Sequence, residues 1–234
     1  MSGQRPSPTG GVAAHPVHWL VCFAVKEEAA GLSAVANPGA SRAIEITGMG
    51  FRNASNAIQA ALEHWRPQSV ITAGFAGGLN PALPRGTVVY DPDDELRIEA
   101  KLKALEAKPA AFHCAPRIAV TVAEKAALRR QTGADVVEME SAIIRAACRQ
   151  AGVPCGTIRV ISDAAHDELP LDFNALMTTT DRIDWWKFAR TIAFKPTVVT
   201  RLMDFQRHTR VAARNLGRVL AEVVKQRPLR QGVP

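Results

Sequence analysis

The 234-residue chain is poor in aromatic residues, 6% of the total, and holds only four cysteines. Single-stranded nucleic acids are gripped by aromatic platforms interleaved with basic groups. The chain lacks such platforms among its basic residues, so its net charge of +7 is not read as nucleic-acid binding. Cys22, Cys114, Cys148 and Cys155 form no CxxC pair, and the expectation is reduced thiols in a cytoplasmic protein. No run approaches the roughly 20 apolar residues that cross a bilayer. The first apolar run, Val17 to Val25, is interrupted by His18 and closed by Lys26, Glu27 and Glu28. With no small-residue cleavage site after it, the run reads as a buried strand rather than a signal sequence. No internal repeat and no metal or cofactor motif is found.

What is present is ordinary for a globular chain: 47% hydrophobic and 22% charged residues. Its length suits one core and one domain. Residues 1–16, with Pro6, Pro8, Gly10, Gly11 and Pro16, read as a disordered lead-in. Residues 17–226 are expected to form the domain, and residues 227–234 a frayed tail. Much of the positive excess lies beyond residue 180, from Arg182 and Lys187 to Arg227 and Arg230. A solvated helix face is the ordinary reading of such a stripe, with anion or membrane-surface binding as the alternative.

Strand-length apolar runs alternate with helical patterns, the signature of an α/β fold with a largely parallel sheet. Strands are predicted at 17–25, 43–47, 69–73, 86–90, 135–138 and 156–161, with 117–121 extended. Helices are predicted at 26–36, 51–65, 96–107, 123–132, 140–151, 183–193 and 196–225, and in the fourth of these Lys125, Arg129 and Arg130 face outward. Gly48-Met49-Gly50 and Gly74 to Gly78 read as glycine loops capping two strands.

Ligands of open α/β sheets gather outside the carboxyl ends of the strands. That rule gathers Glu27 and Glu28, the two glycine loops, Glu138, Met139 and Glu140, and Ser162 with Asp163 on one rim. Buried carboxylates cost free energy unless paired, so their grouping suggests acid and base work. Cleaving a glycosidic bond needs a proton for the leaving group and an activated nucleophile opposite it, while negative charge stabilises an oxocarbenium-like sugar. Each residue also has a plain structural reading. Glu28 and Glu140 suit first turns of helices, Ser162 and Asp163 a turn, Met139 core packing, and the glycines tight turns.

Val137-Glu138-Met139-Glu140-Ser141-Ala142, followed by Arg159-Val160-Ile161-Ser162-Asp163, resembles two signatures of the nucleoside phosphorylase and nucleosidase superfamily. Ala24-Val25-Lys26-Glu27-Glu28, Gly48-Met49-Gly50 and Gly74-Phe75-Ala76-Gly77-Gly78-Leu79 resemble further motifs of its methylthioadenosine/S-adenosylhomocysteine nucleosidases. All five occur in family order over roughly residues 17–175. The resemblance implies a single-domain three-layer α/β/α sandwich with a mixed, largely parallel sheet, acting without a cofactor or metal. It implies a purine nucleosidase, with Asp163 as the acid for N7 and Glu28 as the base for water. Glu140 would clamp the ribose hydroxyls and Met139 pack beneath sugar and base. Arg159 would hold the nucleophile site and Glu138 support the pocket, with Phe75, Gly74 and Ser162 lining it.

Thr72 stands where related phosphorylases carry an arginine, which favours water over phosphate. Gly48, Gly50 and Arg52 form the anion-binding alternative, and with it phosphorolysis. Phe75 departs from the nucleosidases' serine, and the stretch before Val137 is shortened. These departures admit a catalytically silent nucleoside binder. The segment Ala123 to Leu128 resembles the hopanoid-associated branch, thought to release adenine from adenosylhopane. A lipid-linked substrate would give the basic C-terminal helix, with Trp185, Trp186, Phe188, Val198, Leu202 and Phe205, a peripheral membrane contact, although packing on the domain is the commoner use of such a stripe. The family also implies a homo-oligomer, with dimers among the nucleosidases.

Overall fold

In the computed structural model, residues 15–35, 41–92, 95–178, 186, 190 and 197–228 are described. The first strand, β1 (Trp19–Phe23), is buried throughout. Its side chains divide by alternation between two apolar clusters. Trp19, Val21 and Phe23 join the cluster that includes Leu216, Val219 and Leu220. Leu20 and Cys22 join the other, with Ile58 and Ile144. A strand clad on both faces must be apolar at every position, and this one is.

The remaining strands are β2 (Arg42–Ile46), β3 (Ser69–Gly78), β4 (Val88–Tyr90), β5 (Lys108–Pro109), β6 (Phe112–Cys114), β7 (Val136–Glu138) and β8 (Cys155–Asp163). The eight-stranded sheet runs β2-β1-β3-β8-β4-β5, and β7 bridges the end of β3 to β6. Pairing is parallel except where β4 meets β8 and β7 meets β3. On one face lie α1 (Lys26–Ser33) and α7 (Thr197–Val224); on the other lie α2 (Gly50–Trp65) and α5 (Ser141–Gln150). Short helices α3 (Glu99–Ala104) and α6 (Phe173–Leu176) and the longer α4 (Val122–Thr132) complete the described elements. The result is the three-layer α/β/α sandwich with a mixed, largely parallel sheet.

Helix α2 buries Ala54, Ile58 and Ala61, spaced as one helical face, and stops where Arg66 takes a left-handed φ of 40°. Helix α4 begins with a capping box: the Thr121 hydroxyl accepts from Glu124 N, and the Glu124 carboxylate accepts from Thr121 N and Val120 N. Helices α1 and α7 touch through Gly31 and Gly217, where a Cβ on Gly217 would stand 2.3 Å from the Gly31 carbonyl carbon.

Four sequence expectations are corrected. Residues 74–78 continue β3 rather than forming a loop, because β8 and then β7 take up their backbone groups. The sheet gains two strands that were not expected, β5 and β6, both too short to show a period, while residues 117–121, expected to be extended, belong to no strand. The helix expected over 96–107 is confined to α3. Lys125 does not face outward; it is among the largest wholly buried side chains. The lead-in over 1–14, most of the helix at 183–193 and the tail beyond 228 lie outside the described residues. Among the described residues, no helix is long and apolar enough to cross a membrane.

Candidate active site

Parallel β1, β3 and β8 deliver their carboxyl ends to one edge, where the candidate residues collect. Glu28 sits in the first turn of α1, as a dipole-favoured acid would, and one of its oxygens accepts from Ala24 N at 2.9 Å and Val25 N at 3.2 Å. The other oxygen reaches across to β3 and accepts from Phe75 N at 2.7 Å. Gly74 makes that reach feasible. Its φ is +151°, and a Cβ there would lie 2.7 Å from Glu28 Oε1. Burial raises the Glu28 carboxyl above its ordinary value, against the Phe75 N–H and the Arg159 charge, which favour ionisation.

Arg159, from the middle of β8, is the hub. Its Nη2 donates to Glu138 Oε2 at 2.7 Å and to Thr72 Oγ1 at 3.1 Å. Its buried Nη1 has no hydrogen-bond partner among the described residues. Burial opposes its charge, yet Glu138, Glu140 and Glu28 outweigh that and raise its pKa. Glu138, last in β7, also accepts from Ser141 N, Ser141 Oγ and Glu140 N, thereby capping α5. Burial would push Glu138 up, but Arg159 and Ser141 hold it below the usual carboxylate range.

Glu140 precedes α5 without capping it. Its Oε1 instead accepts from Gly50 N at 2.9 Å, at the start of α2. Burial pushes it up to about 7, opposed by Arg159 and the Gly50 N–H and reinforced by Glu138 and Glu28. Burial is the main reason that Glu28 and Glu140 hold protons more tightly than usual, and the Arg159 charge offsets it only in part. Met139, between the two glutamates, is half-buried.

At the end of β8 the register with β3 slips, so that Ile161 faces Ala76 but Asp163 faces Gly77. Such a bulge re-aims the side chains around it. Ser162 Oγ donates to Asp163 Oδ1 at 2.5 Å, and Lys125 Nζ to Asp163 Oδ2 at 2.5 Å. Asp163 and Arg159 are four residues apart, about 13 Å along an extended strand. The site therefore has two ends: Arg159 bonded to Glu138 with Glu28 and Glu140 within its electrostatic reach, and an aspartate on a lysine.

The anion-binding expectation meets a different arrangement. The Gly50 N–H is given to Glu140, and Arg52 is exposed. Thr72 is buried beneath the Arg159 guanidinium. Phe75 contributes its amide to Glu28, while its ring packs on the core face shared with α1 and α7. A surface cavity between α4 and the loop after β8, lined by Leu79, Val122, Ala126, Arg129, Arg130 and His166 among others, holds none of the three carboxylates. Of the groups around the site, Lys125 was the one missed. Nothing in the apolar spacing of α4 marks it as inward; the only hint is its place beside a capping glutamate in a first turn.

The fold and the sequence can be set beside those of known proteins. The sequence model of the phosphorylase superfamily matches residues 89–225. A 5′-methylthioadenosine/S-adenosylhomocysteine nucleosidase of Shewanella sp. (strain MR-7) is 28% identical over 183 residues, covering 62% of this chain and 77% of that protein. The protein of the same name from Shewanella oneidensis is 29% identical over 164 residues, covering 55% and 69%. Among solved structures, the 5′-methylthioadenosine/S-adenosylhomocysteine nucleosidase of Neisseria meningitidis in complex with methylthio-immucillin-A aligns with a TM-score of 0.63 at 20% identity, over 88% of this chain and 98% of that one. The futalosine hydrolase of Helicobacter pylori strain 26695 aligns with a TM-score of 0.64 at 16% identity, over 90% and 97%. Both structural likenesses are of fold.

Proposed function

The chain belongs to the phosphorylase superfamily, and from that premise we propose that it is a purine nucleosidase, hydrolysing the N-glycosidic bond of a 5′-substituted adenosine and releasing adenine. The observation that carries this reading is the buried cluster of Glu28, Glu138 and Glu140 on Arg159. Breaking the bond puts positive charge on the ribose, and an excess of carboxylate is what stabilises it. In the proposed roles, Glu28 takes the proton from water while Arg159 Nη1, without a partner among the described residues, donates to that water's oxygen. Glu140 accepts from the ribose hydroxyls, and Met139 packs against sugar and base. Asp163 delivers the proton to N7, so that the base departs neutral.

Water is favoured over phosphate by the same electrostatics. Phosphate needs surplus cations or free amides, whereas Arg159 is outnumbered and the Gly50 amide is occupied. The names of the relatives support an adenosine with a 5′ thioether, and the resemblance of residues 123–128 adds adenosylhopane to the substrates worth testing. The test is adenine release from methylthioadenosine, S-adenosylhomocysteine, adenosylhopane and inosine, with and without phosphate. Release from an adenosine without phosphate is expected, with Glu28→Gln lowering it by about 10² or more. Release that requires phosphate overturns the hydrolytic reading.

A further inference from the structure

We infer that Lys125 and Asp163 work as a single acid, Lys125 being a positioning residue that acts through Asp163 and stores the proton destined for the leaving base. The inference rests on the reading above, that the chain cleaves a purine nucleoside. The geometry supplies the rest. An ammonium has three N–H donors and no acceptor. Lys125 Nζ spends all three, on Asp163 Oδ2 at 2.5 Å, Ala164 O at 2.8 Å and Asp167 O at 2.9 Å.

The Lys125 side chain has no exposed surface and that of Asp163 is 9% exposed. A buried net charge is costly. With a proton on each partner the pair would carry one; with a single transferable proton between them it carries none. The pair, rather than Asp163 alone, is therefore the unit that holds the proton. Its frame is rigid. The capping box sets the first turn of α4, and Asp167, whose carbonyl receives Lys125, is itself tied to Ala164 N and Arg85.

In the step, an Nζ–H bond of Lys125 breaks as an Oδ2–H bond forms on Asp163, and Asp163 gives a proton to the purine ring nitrogen. The electron pair of the C1′–N9 bond passes to the base. Lys125 is left as a neutral amine beside the Asp163 carboxylate, and it regains its proton by way of Asp163, the partner of the two with exposed surface. Water adds its oxygen to C1′ and its proton to Glu28, which returns it to solvent.

Two ribosides separate this role from a merely structural one: methylthioadenosine, and a 4-nitrophenyl 5-methylthioriboside, whose phenolate leaves without a proton. In Lys125→Met and, to guard against misfolding, Lys125→Gln, kcat for adenine release should fall at least about 10²-fold while that for nitrophenolate stays within about threefold of the unsubstituted enzyme, with KM changed little. Equal losses on both substrates would mean structural damage and overturn the inference, as would retention of both. If the unsubstituted protein releases base from no nucleoside, the reading of the whole site fails and takes this inference with it.

Discussion

Glu140 is held in two opposing ways, and the conflict can be measured. As a carboxylate it accepts from Gly50 N, but burial pushes it up to about 7 from its ordinary 4.5. Because its affinity for protons is higher folded than unfolded, stability is greatest where both states are protonated, below about 4.5. It is lost as pH rises from there to about 7, and the deficit is constant above. Glu140→Gln keeps an acceptor for Gly50 N and removes the ionisation. It should be neutral for stability near pH 4 and stabilise by up to about 3 kcal/mol at pH 8, read from urea midpoints at the two pH values. A gain independent of pH would show that Glu140 does not titrate in this range. Gly74 tests Glu28 in the same spirit. The methyl of Gly74→Ala would meet the carboxylate at the tip of the Glu28 side chain, which must break its hydrogen bond to Phe75 N to make room. Activity should drop by about 10², whereas backbone strain should cost only about 1–3 kcal/mol.

Between elements, one buried cross-tie at the site is Lys125 of α4 on Asp163 of β8. Asp163→Asn leaves an ammonium buried without its counter-ion, at an expected cost of about 3–5 kcal/mol in denaturant unfolding. Adding Lys125→Met should recover most of that loss; if the double substitution is as unstable as the sum of both, the ion pair is not what couples them. The sequence was uneven about these elements for physical reasons. Strands β1, β3 and β8 were legible because burial on both faces leaves continuous apolar runs. The ends of β7 and β8 were legible because Glu138, Glu140 and Asp163 interrupt such runs with charges that packing does not ask for. Helix α4 was legible as a helix, but its inward face was not. A lysine that finds its three acceptors at the end of β8 and in the loop after it leaves no mark in local periodicity. Residues 74–78 misled in the opposite way: glycines that suggest a turn lie in a strand, where Glu28 leaves no room for a Cβ at Gly74 and Val137 and the chain around Asp163 would crowd one at Gly77 and Gly78.

For the molecule as a whole, the sign of the charge differs between outside and inside. The chain carries +7 overall, and Arg210, Arg214 and Arg218 line a surface groove between α1 and α7. The buried cluster, by contrast, sets Glu28, Glu138 and Glu140 against the one guanidinium of Arg159. Bulk charge would attract phosphate, whereas the interior cluster favours a cation, and short-range charge in a desolvated site outweighs screened surface charge. A nucleoside analogue with a protonated pyrrolidine in place of ribose should therefore bind at least about 10² tighter than its neutral counterpart. At equal concentrations well above both dissociation constants, that factor is about 2.7 kcal/mol of extra stabilisation. For a chain of this size it should appear as an additional rise in Tm of roughly 5–10 °C. Inorganic phosphate at millimolar concentration should leave Tm where it was once ionic strength is matched. A larger shift with phosphate than with the cationic analogue would reverse the inferred polarity of the site and make phosphorolysis the better reading. The same scan run on Glu28→Gln should shrink the preference for the cation, because one of the carboxylates that create it is gone.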